Sequence, residues 1–341
     1  MTLPFLWHGG AIAAARERFG DPGPQGWLDL STGIAPVAYP YSRLPAQAWT
    51  RLPDSDLAEA FIGAVRAAHH LPTAAAVLPI AGEQAILGLL PLCDAPSGAV
   101  RVPKPGYRGH AEAWAAAGRC VHDCADPLET AGEGGVIVVI NPNNPSGRRW
   151  SAESLLAAAA AQAAAGGWLI VDEAFGEVTP DLSVLADSGR PGLLVLRSFG
   201  KFFGLPGLRL GWLAGPPEVV EPLARRLGPW AVSGPALALG ARAEADELWR
   251  AGQRRRLARL ALKLDGVLSR AGLVGLGGTD LFRLVEVPAG TRALDWFEGL
   301  AAQGILVRPF AEAERALRFG LPGTQAARDR LSAALARMTL K

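Results

Sequence analysis

Three short runs of uninterrupted apolar residues constrain this chain more than any other feature: Val136-Ile137-Val138-Val139-Ile140, Trp168-Leu169-Ile170-Val171 and Leu193-Leu194-Val195-Leu196. A strand with one wet face alternates apolar and polar residues, whereas a strand buried on both faces does not. Between the first two runs lies an Ala-rich stretch that Ser151 opens as an N-cap and Gly166-Gly167 ends, the signature of one helix. Strands of this kind separated by helices require a mainly parallel sheet with helices on both faces. Ligands in such sheets bind outside the carboxyl ends of the strands. Each run delivers a polar residue to that edge: Asn144, Asp172 and Lys201.

With 341 residues, half of them apolar, the chain has material for a large core and a second, smaller one. We expect an arm over residues 1–40 that docks on the active site, a large domain over 41–225 and a small α/β domain over 226–341. A strand is expected over 208–214, long helices over about 218–270, and strand-like pieces at 281–287, 304–308 and 316–320. A formal charge of +2 makes no case for nucleic acid or a membrane surface as partner. Arg254-Arg255-Arg256 with Arg259 and Lys263 reads as a solvated helix face. The N-terminal residues lack a basic segment followed by an apolar one, which points to the cytoplasm. Cys93, Cys120 and Cys124 read as isolated reduced thiols, because no second cluster completes a metal site around Cys120-Val121-His122-Asp123-Cys124.

Lys201 sits in an apolar, Gly-punctuated turn just beyond a strand, where burial lowers an amine's pKa and makes it a nucleophile for carbonyl groups. Ser198 and Arg209 add a hydroxyl and a fork of donors suited to phosphate. Gly82-Glu83-Gln84 follows the apolar residues 76–80 and opens a helix reaching Leu92, so its backbone N–H groups form a phosphate seat. Singly, each residue has a plainer reading: a loop lysine, a turn-capping carboxylate at Asp172, turn chemistry at Asn144, a packing aromatic at Tyr107. Lys104 and Arg108 read as solvated. Leu169 to Glu173 could pass for a Walker B strand, but no Gly-x4-Gly-Lys-(Ser/Thr) loop precedes it. Gly275-Leu276-Gly277-Gly278 is too weak for a dinucleotide fingerprint.

The pattern Ser198-x-x-Lys201 followed by Arg209-x-Gly211 resembles the lysine signature of fold-type I enzymes that use pyridoxal 5'-phosphate (PLP), the aspartate aminotransferase superfamily. The resemblance implies an α/β fold with a large PLP-binding domain, a small C-terminal domain and a homodimer. It implies Lys201 as the Schiff-base lysine and Asp172 as the carboxylate that keeps the pyridine nitrogen protonated, so that the ring acts as an electron sink. Asn144, in Asn-Pro-Ser-Gly, would face the phenolic oxygen, and Tyr107 would stack on the ring. Glu83 stands where relatives carry a small or hydroxyl residue, so backbone contacts alone are assigned to it. Arg318 is similar to the arginine that forks a substrate α-carboxylate, with Arg308 near it in sequence.

Two subfamilies stand nearest: histidinol-phosphate aminotransferases and the threonine-phosphate decarboxylases of cobalamin biosynthesis. His8-Gly9-Gly10 and Asp29-Leu30-Ser31-Thr32-Gly33-Ile34 are similar to the N-terminal arm of the decarboxylases, although Ala35 replaces their Asn. Phe175 and Leu52 stand where the aminotransferases carry tyrosines. The resemblance therefore implies decarboxylation of L-threonine O-3-phosphate to (R)-1-amino-2-propanol O-2-phosphate, with an aminotransferase as the alternative. Substrate contacts are expected from His8, Gly33, Arg308 and Arg318, with cationic groups facing the two anionic ends of a small phosphorylated amino acid.

Overall fold

The computed structural model describes residues 4–6, 8–41 and 43–339. Two compact units emerge: a larger one of Ala38–Asn144 and Arg148–Gly252, and a smaller one of Met1–Val37, Pro145–Gly147 and Gln253–Lys341. In chain order the strands begin with β1 (Leu28–Asp29), β2 (Ala76–Ile80), β3 (Val100–Pro103) and β4 (Val121–Cys124). β5 (Val136–Ile140), β6 (Trp168–Asp172), β7 (Leu193–Ser198) and β8 (Gly211–Gly215) follow. The remainder are β9 (Val274–Thr279), β10 (Phe282–Glu286), β11 (Ile305–Leu306), β12 (Arg308–Phe310) and β13 (Ala313–Gly320).

The larger unit is built on a seven-stranded sheet in the order β2-β8-β7-β6-β5-β3-β4. β4, β3, β5, β6 and β7 run parallel; β8 is antiparallel to both β7 and β2. Every residue of β5 and β6 is buried, as their unbroken apolar runs require of central strands covered on both faces. The register pairs Ile140 with Asp172 and Asp172 with Leu196, so β5 and β6 end level and β7 runs two residues further, to Ser198. The helix Ala152–Ala164 joins β5 to β6; Ser151 Oγ caps it by accepting from the Ser154 N–H at 3.1 Å. Gln162 of this helix is fully buried and satisfied, donating to Gly134 O and accepting from the Gly132 N–H.

One part of this core is ionic. Arg197 pairs with Glu173 at 2.9 Å and with Glu177 at 3.1 Å, while Arg250 reaches the other Glu177 oxygen at 3.3 Å. His69 Nε2 lies 3.1 Å from Glu244 and 3.3 Å from Glu177. His69, Glu177 and Glu244 bring their ligand atoms within 4.8 Å of one another, but two guanidinium groups already occupy the Glu177 carboxylate. The cluster is an ionic lock, tying the helices Ser55–His69 and Gly234–Ala245 to the loop after β6.

In the smaller unit β12, β13, β10 and β9 form an antiparallel sheet, and β1 pairs in parallel with β11. Gly9 lies so close to Ser31 that a Cβ there would strike its carbonyl, while the Gly10 N–H donates to Ser31 Oγ at 2.8 Å. Gly10 also has a φ of +82°, so both glycines of His8-Gly9-Gly10 are sterically required.

Several expectations shift. β8 starts at Gly211 rather than near 208, because Pro206–Leu208 form a 3-10 turn and Arg209 takes a left-handed conformation. Gly275 to Gly278 are part of an edge strand, β9, which pairing with β10 creates despite its poor intrinsic propensity. The helix opened by Glu83 ends at Leu89, and a 3-10 turn carries the chain to Leu92. The region 218–270 forms three helices, Pro217–Leu227, Gly234–Ala245 and Glu247–Arg270. The compact units divide at 37/38 and 252/253, where the sequence suggests 40/41 and 225/226.

Candidate active site

Asp172, the last residue of β6, is 3% exposed at the carboxyl edge of the sheet. Its Oδ2 is 2.8 Å from His110 Nε2, and its Oδ1 accepts from the Ala174 N–H at 2.9 Å. Burial alone would raise its pKa. The hydrogen bond and charge of His110 outweigh that burial, helped by Glu83 and the Ala174 N–H, and leave the carboxyl below the ordinary aspartate value. An ionised carboxylate is therefore presented where the strands end.

His110 escapes notice in the sequence because it lies 62 residues from its partner. The helix Gly109–Ala116, which follows β3, brings it to β6. The only local hint is Tyr107, three residues earlier, whose ring meets the imidazole edge-on with centroids 6.3 Å apart. Tyr107 Oη donates to Gln84 Oε1 at 2.8 Å, so this aromatic is tied to the start of the helix Glu83–Leu89. A Cβ at Gly109 would strike the Tyr107 ring, which makes glycine a condition for its orientation.

Lys201 lies in the short helix Phe199–Phe202 immediately after β7, half-buried, with Nζ 5.9 Å from the centroid of the buried Phe175 ring. Ser198 ends β7 and precedes that helix. The Phe199 N–H donates to Leu210 O at 3.1 Å, closing the chain between them into a loop. At the end of this loop Arg209 has φ +52° and donates to Pro206 O at 3.0 Å. Its guanidinium lies against Gly82, where any Cβ would collide with it, and Gly82 itself has φ +81°. Asn144 is half-buried in the turn after β5. Its neighbour Asn143 is buried and donates to Pro105 O at 2.9 Å, linking that turn to the segment before Tyr107.

The side chain of Glu83 is half-buried. Its Oε1 is buried without a hydrogen-bond partner, and its carboxyl lies in the field of Asp172 and Lys201. Burial first, and Asp172 second, push it well above the ordinary glutamate value. The two carboxyls are thus pushed in opposite directions, Glu83 up and Asp172 down. Lys104 and Arg108 both pair with Asp123 at the surface, at 2.9 Å and 2.5 Å, and remain partly exposed to solvent.

The larger unit thus gathers Gly82, Glu83, Gln84, Tyr107, His110, Asp172, Ser198, Lys201 and Arg209 around the carboxyl edge of its sheet. Residues 37–335 match the family described as aminotransferase class I and II. The chain belongs to that family. It is 44% identical over 335 residues to a threonine-phosphate decarboxylase of Pseudomonas aeruginosa, covering 97% of each chain. A threonine-phosphate decarboxylase from a Sinorhizobium species is 44% identical over 343 residues, covering all of both. Among solved structures, the histidinol-phosphate aminotransferase of Sinorhizobium meliloti in complex with pyridoxal-5'-phosphate superposes with a TM-score of 0.82 at 20% identity. That match covers 97% of this chain and 94% of that one. The fold is that of fold-type I PLP enzymes.

The smaller unit carries the other expected residues. Arg308 and Arg318 are buried and directly opposite each other on β12 and β13. Arg318 Nη2 donates to Ser31 O at 2.7 Å and Arg308 Nη1 to Phe5 O at 2.6 Å. Burial, and then the neighbouring Arg308, lower Arg318 to about 9 against the opposing pull of Asp29. Asp29 accepts from both the N–H and the Oγ of Ser31, which fixes the segment that ends in the buried Gly33. His8 is exposed.

Proposed function

We propose that this chain is a PLP-dependent decarboxylase that converts L-threonine O-3-phosphate to (R)-1-amino-2-propanol O-2-phosphate and CO2 in cobalamin biosynthesis. The observation that carries the cofactor reading is the buried, ionised Asp172, oriented by His110, one strand away from Lys201. The full-length 44% identity to two threonine-phosphate decarboxylases supports the choice of reaction. The residues present suit the cofactor: an anionic carboxylate for a pyridinium, a lysine on an apolar wall, and a cradle at Gly82 that a Cβ would fill.

When bound, PLP supplies an electron sink for the bond broken at the substrate's Cα. Lys201 would hold the cofactor through its amine and would carry a proton to or from the substrate's Cα. Asp172 holds the pyridine nitrogen protonated, and His110 keeps Asp172 ionised and aimed. Tyr107 is assigned to the ring face and Asn144 to the phenolic oxygen. Ser198, Arg209 and the backbone N–H groups of residues 82–84 are assigned to the phosphate. Phe175 has no hydroxyl and offers Lys201 only an apolar wall. Arg318 is assigned to the substrate carboxylate, with Arg308, His8 and Gly33 completing the substrate contacts. Two buried guanidiniums side by side repel each other, and an anionic substrate group relieves that repulsion.

We also propose a homodimer. Tyr41, Trp49, Leu52 and Trp230 are each more than half exposed on the larger unit, a set of large side chains that a second copy would cover. Light scattering at micromolar concentration tests this, and a monomer overturns it. Incubation with L-threonine O-3-phosphate and no keto acid tests the reaction itself. Release of CO2 with a phosphorylated amino alcohol supports the decarboxylase; turnover that depends on 2-oxoglutarate overturns it.

A further inference from the structure

Arg318 carries the guanidinium assigned to the substrate carboxylate, and what holds that guanidinium can be followed residue by residue through the smaller unit. Up to Leu30 the main chain is fixed from both sides. The Leu30 N–H donates to Leu306 O and its carbonyl accepts from the Gly320 N–H, each at 2.7 Å. Beyond Leu30 this pairing stops, and a side chain takes over. Asp29 Oδ1 accepts from the Ser31 N–H at 2.9 Å and from Ser31 Oγ at 2.5 Å. A carboxylate that collects both donors of the residue two places on fixes the backbone and the rotamer of that residue together.

Ser31 is buried, and each of its polar groups is engaged. Its hydroxyl gives its one proton to Asp29 and accepts from the Gly10 N–H at 2.8 Å. Its carbonyl accepts from Arg318 Nη2 at 2.7 Å. Gly9 packs so tightly on that carbonyl that a Cβ would strike its oxygen, so the carbonyl is walled in on the side away from its donor. A hydrogen bond from a charged donor is short and sensitive to alignment, so the direction of this carbonyl sets the direction of the guanidinium. The Asp29 charge also favours the protonated form of Arg318, against burial and the neighbouring Arg308.

We propose that Asp29 is a positioning residue for substrate recognition: by fixing the Ser31 carbonyl, it aims the Arg318 guanidinium at the carboxylate that the reaction removes. The inference rests on the reading of Arg318 given above. It has a consequence that a plain structural role lacks. Substrate and product share an amine and a phosphate, and only the substrate has the carboxylate. The Asp29–Ser31–Arg318 chain therefore contributes to holding the substrate and not to holding the product. A residue that only stabilised the turn would change the binding of both alike.

The experiment uses the PLP-loaded holoenzyme. It measures KM and kcat for L-threonine O-3-phosphate and the inhibition constant Ki of added (R)-1-amino-2-propanol O-2-phosphate. Asp29→Ala is expected to raise KM about tenfold while Ki stays within about twofold of wild type. Asp29→Glu keeps the charge but misplaces the acceptor by a methylene. It is expected to raise KM likewise, and it carries the test if Asp29→Ala fails to fold. Asparagine retains an oxygen at the right distance, so Asp29→Asn is expected to bring KM back to within about threefold of wild type. Unchanged KM in Asp29→Ala and Asp29→Glu, or a Ki that rises in step with KM, overturns the positioning role. An Asp29→Asn variant as impaired as Asp29→Ala overturns the geometric account. Arg318→Lys separates this inference from the reading beneath it. If that variant leaves KM unchanged, the carboxylate assignment itself falls. If it raises KM while the Asp29 variants do not, the role of Asp29 alone falls.

Discussion

Two buried acidic clusters lie within a few residues of each other in the larger unit, and they are compensated differently. Glu173, Glu177 and Glu244 face Arg197, Arg250 and His69, and Glu173 also accepts from Ser183 Oγ and the Val184 N–H. Asp172 has one imidazole and the Ala174 N–H, while burial and the Asp172 charge push Glu83 well above the ordinary glutamate value and its Oε1 has no hydrogen-bond partner. Adjacent residues of one chain segment, Asp172 and Glu173, thus serve opposite ends. A charge whose partners are all protein holds the fold together. A charge with fewer protein partners than it needs is held ready for a ligand.

Lys201→Ala puts the sharpest strain on this contrast. Turnover is expected to fall by about a thousandfold or more, since nucleophile and proton carrier vanish together, with the urea midpoint almost unmoved. Single-turnover assays alongside urea melts check both halves. Glu177→Gln is the mirror experiment. It leaves Arg197 and Arg250 short of a partner and is expected to cost about 3 kcal/mol of stability, with PLP affinity of the folded protein unchanged. A shift in cofactor affinity comparable to the stability loss would break the separation between the clusters.

His110→Phe refines the comparison. It removes the donor that offsets Asp172's burial, so turnover is expected to fall about tenfold. The sign for pH follows from a lowered carboxyl: its contribution is present above the ordinary aspartate value and is lost as pH falls through the lowered one. Without His110 that loss moves to higher pH, visible as an earlier acid limb in kcat. The smallest effect concerns the apoprotein. A raised glutamate contributes fully below its ordinary value, and the contribution is lost as pH rises through the raised one. Urea midpoints of wild type should therefore drop toward alkaline pH more than those of Glu83→Gln.

What could be read early is local. Each of β5, β6 and β7 is announced by four or five consecutive apolar residues, and Asn144, Asp172 and Lys201 stand at or just beyond the strand ends. β9 was hidden because three of its six residues are glycine; it is a strand only through its ladder with β10. His110 was hidden because nothing in a single helix marks which of its residues will meet a carboxylate from a distant strand. The surroundings of Glu83 were hidden for the same reason, since Asp172 and Lys201, whose charges act on it, come from distant segments.

The amino-acid order alone determined the strand–helix alternation, the carboxyl-edge residues and the glycines at 9, 10 and 82, because backbone conformation and burial pattern are short-range properties. Tertiary structure decided which charges meet. The upward shift of the Glu83 carboxyl and the downward shift of Asp172 exist only once segments distant in sequence enclose them away from water, where one neighbour outweighs the solvent.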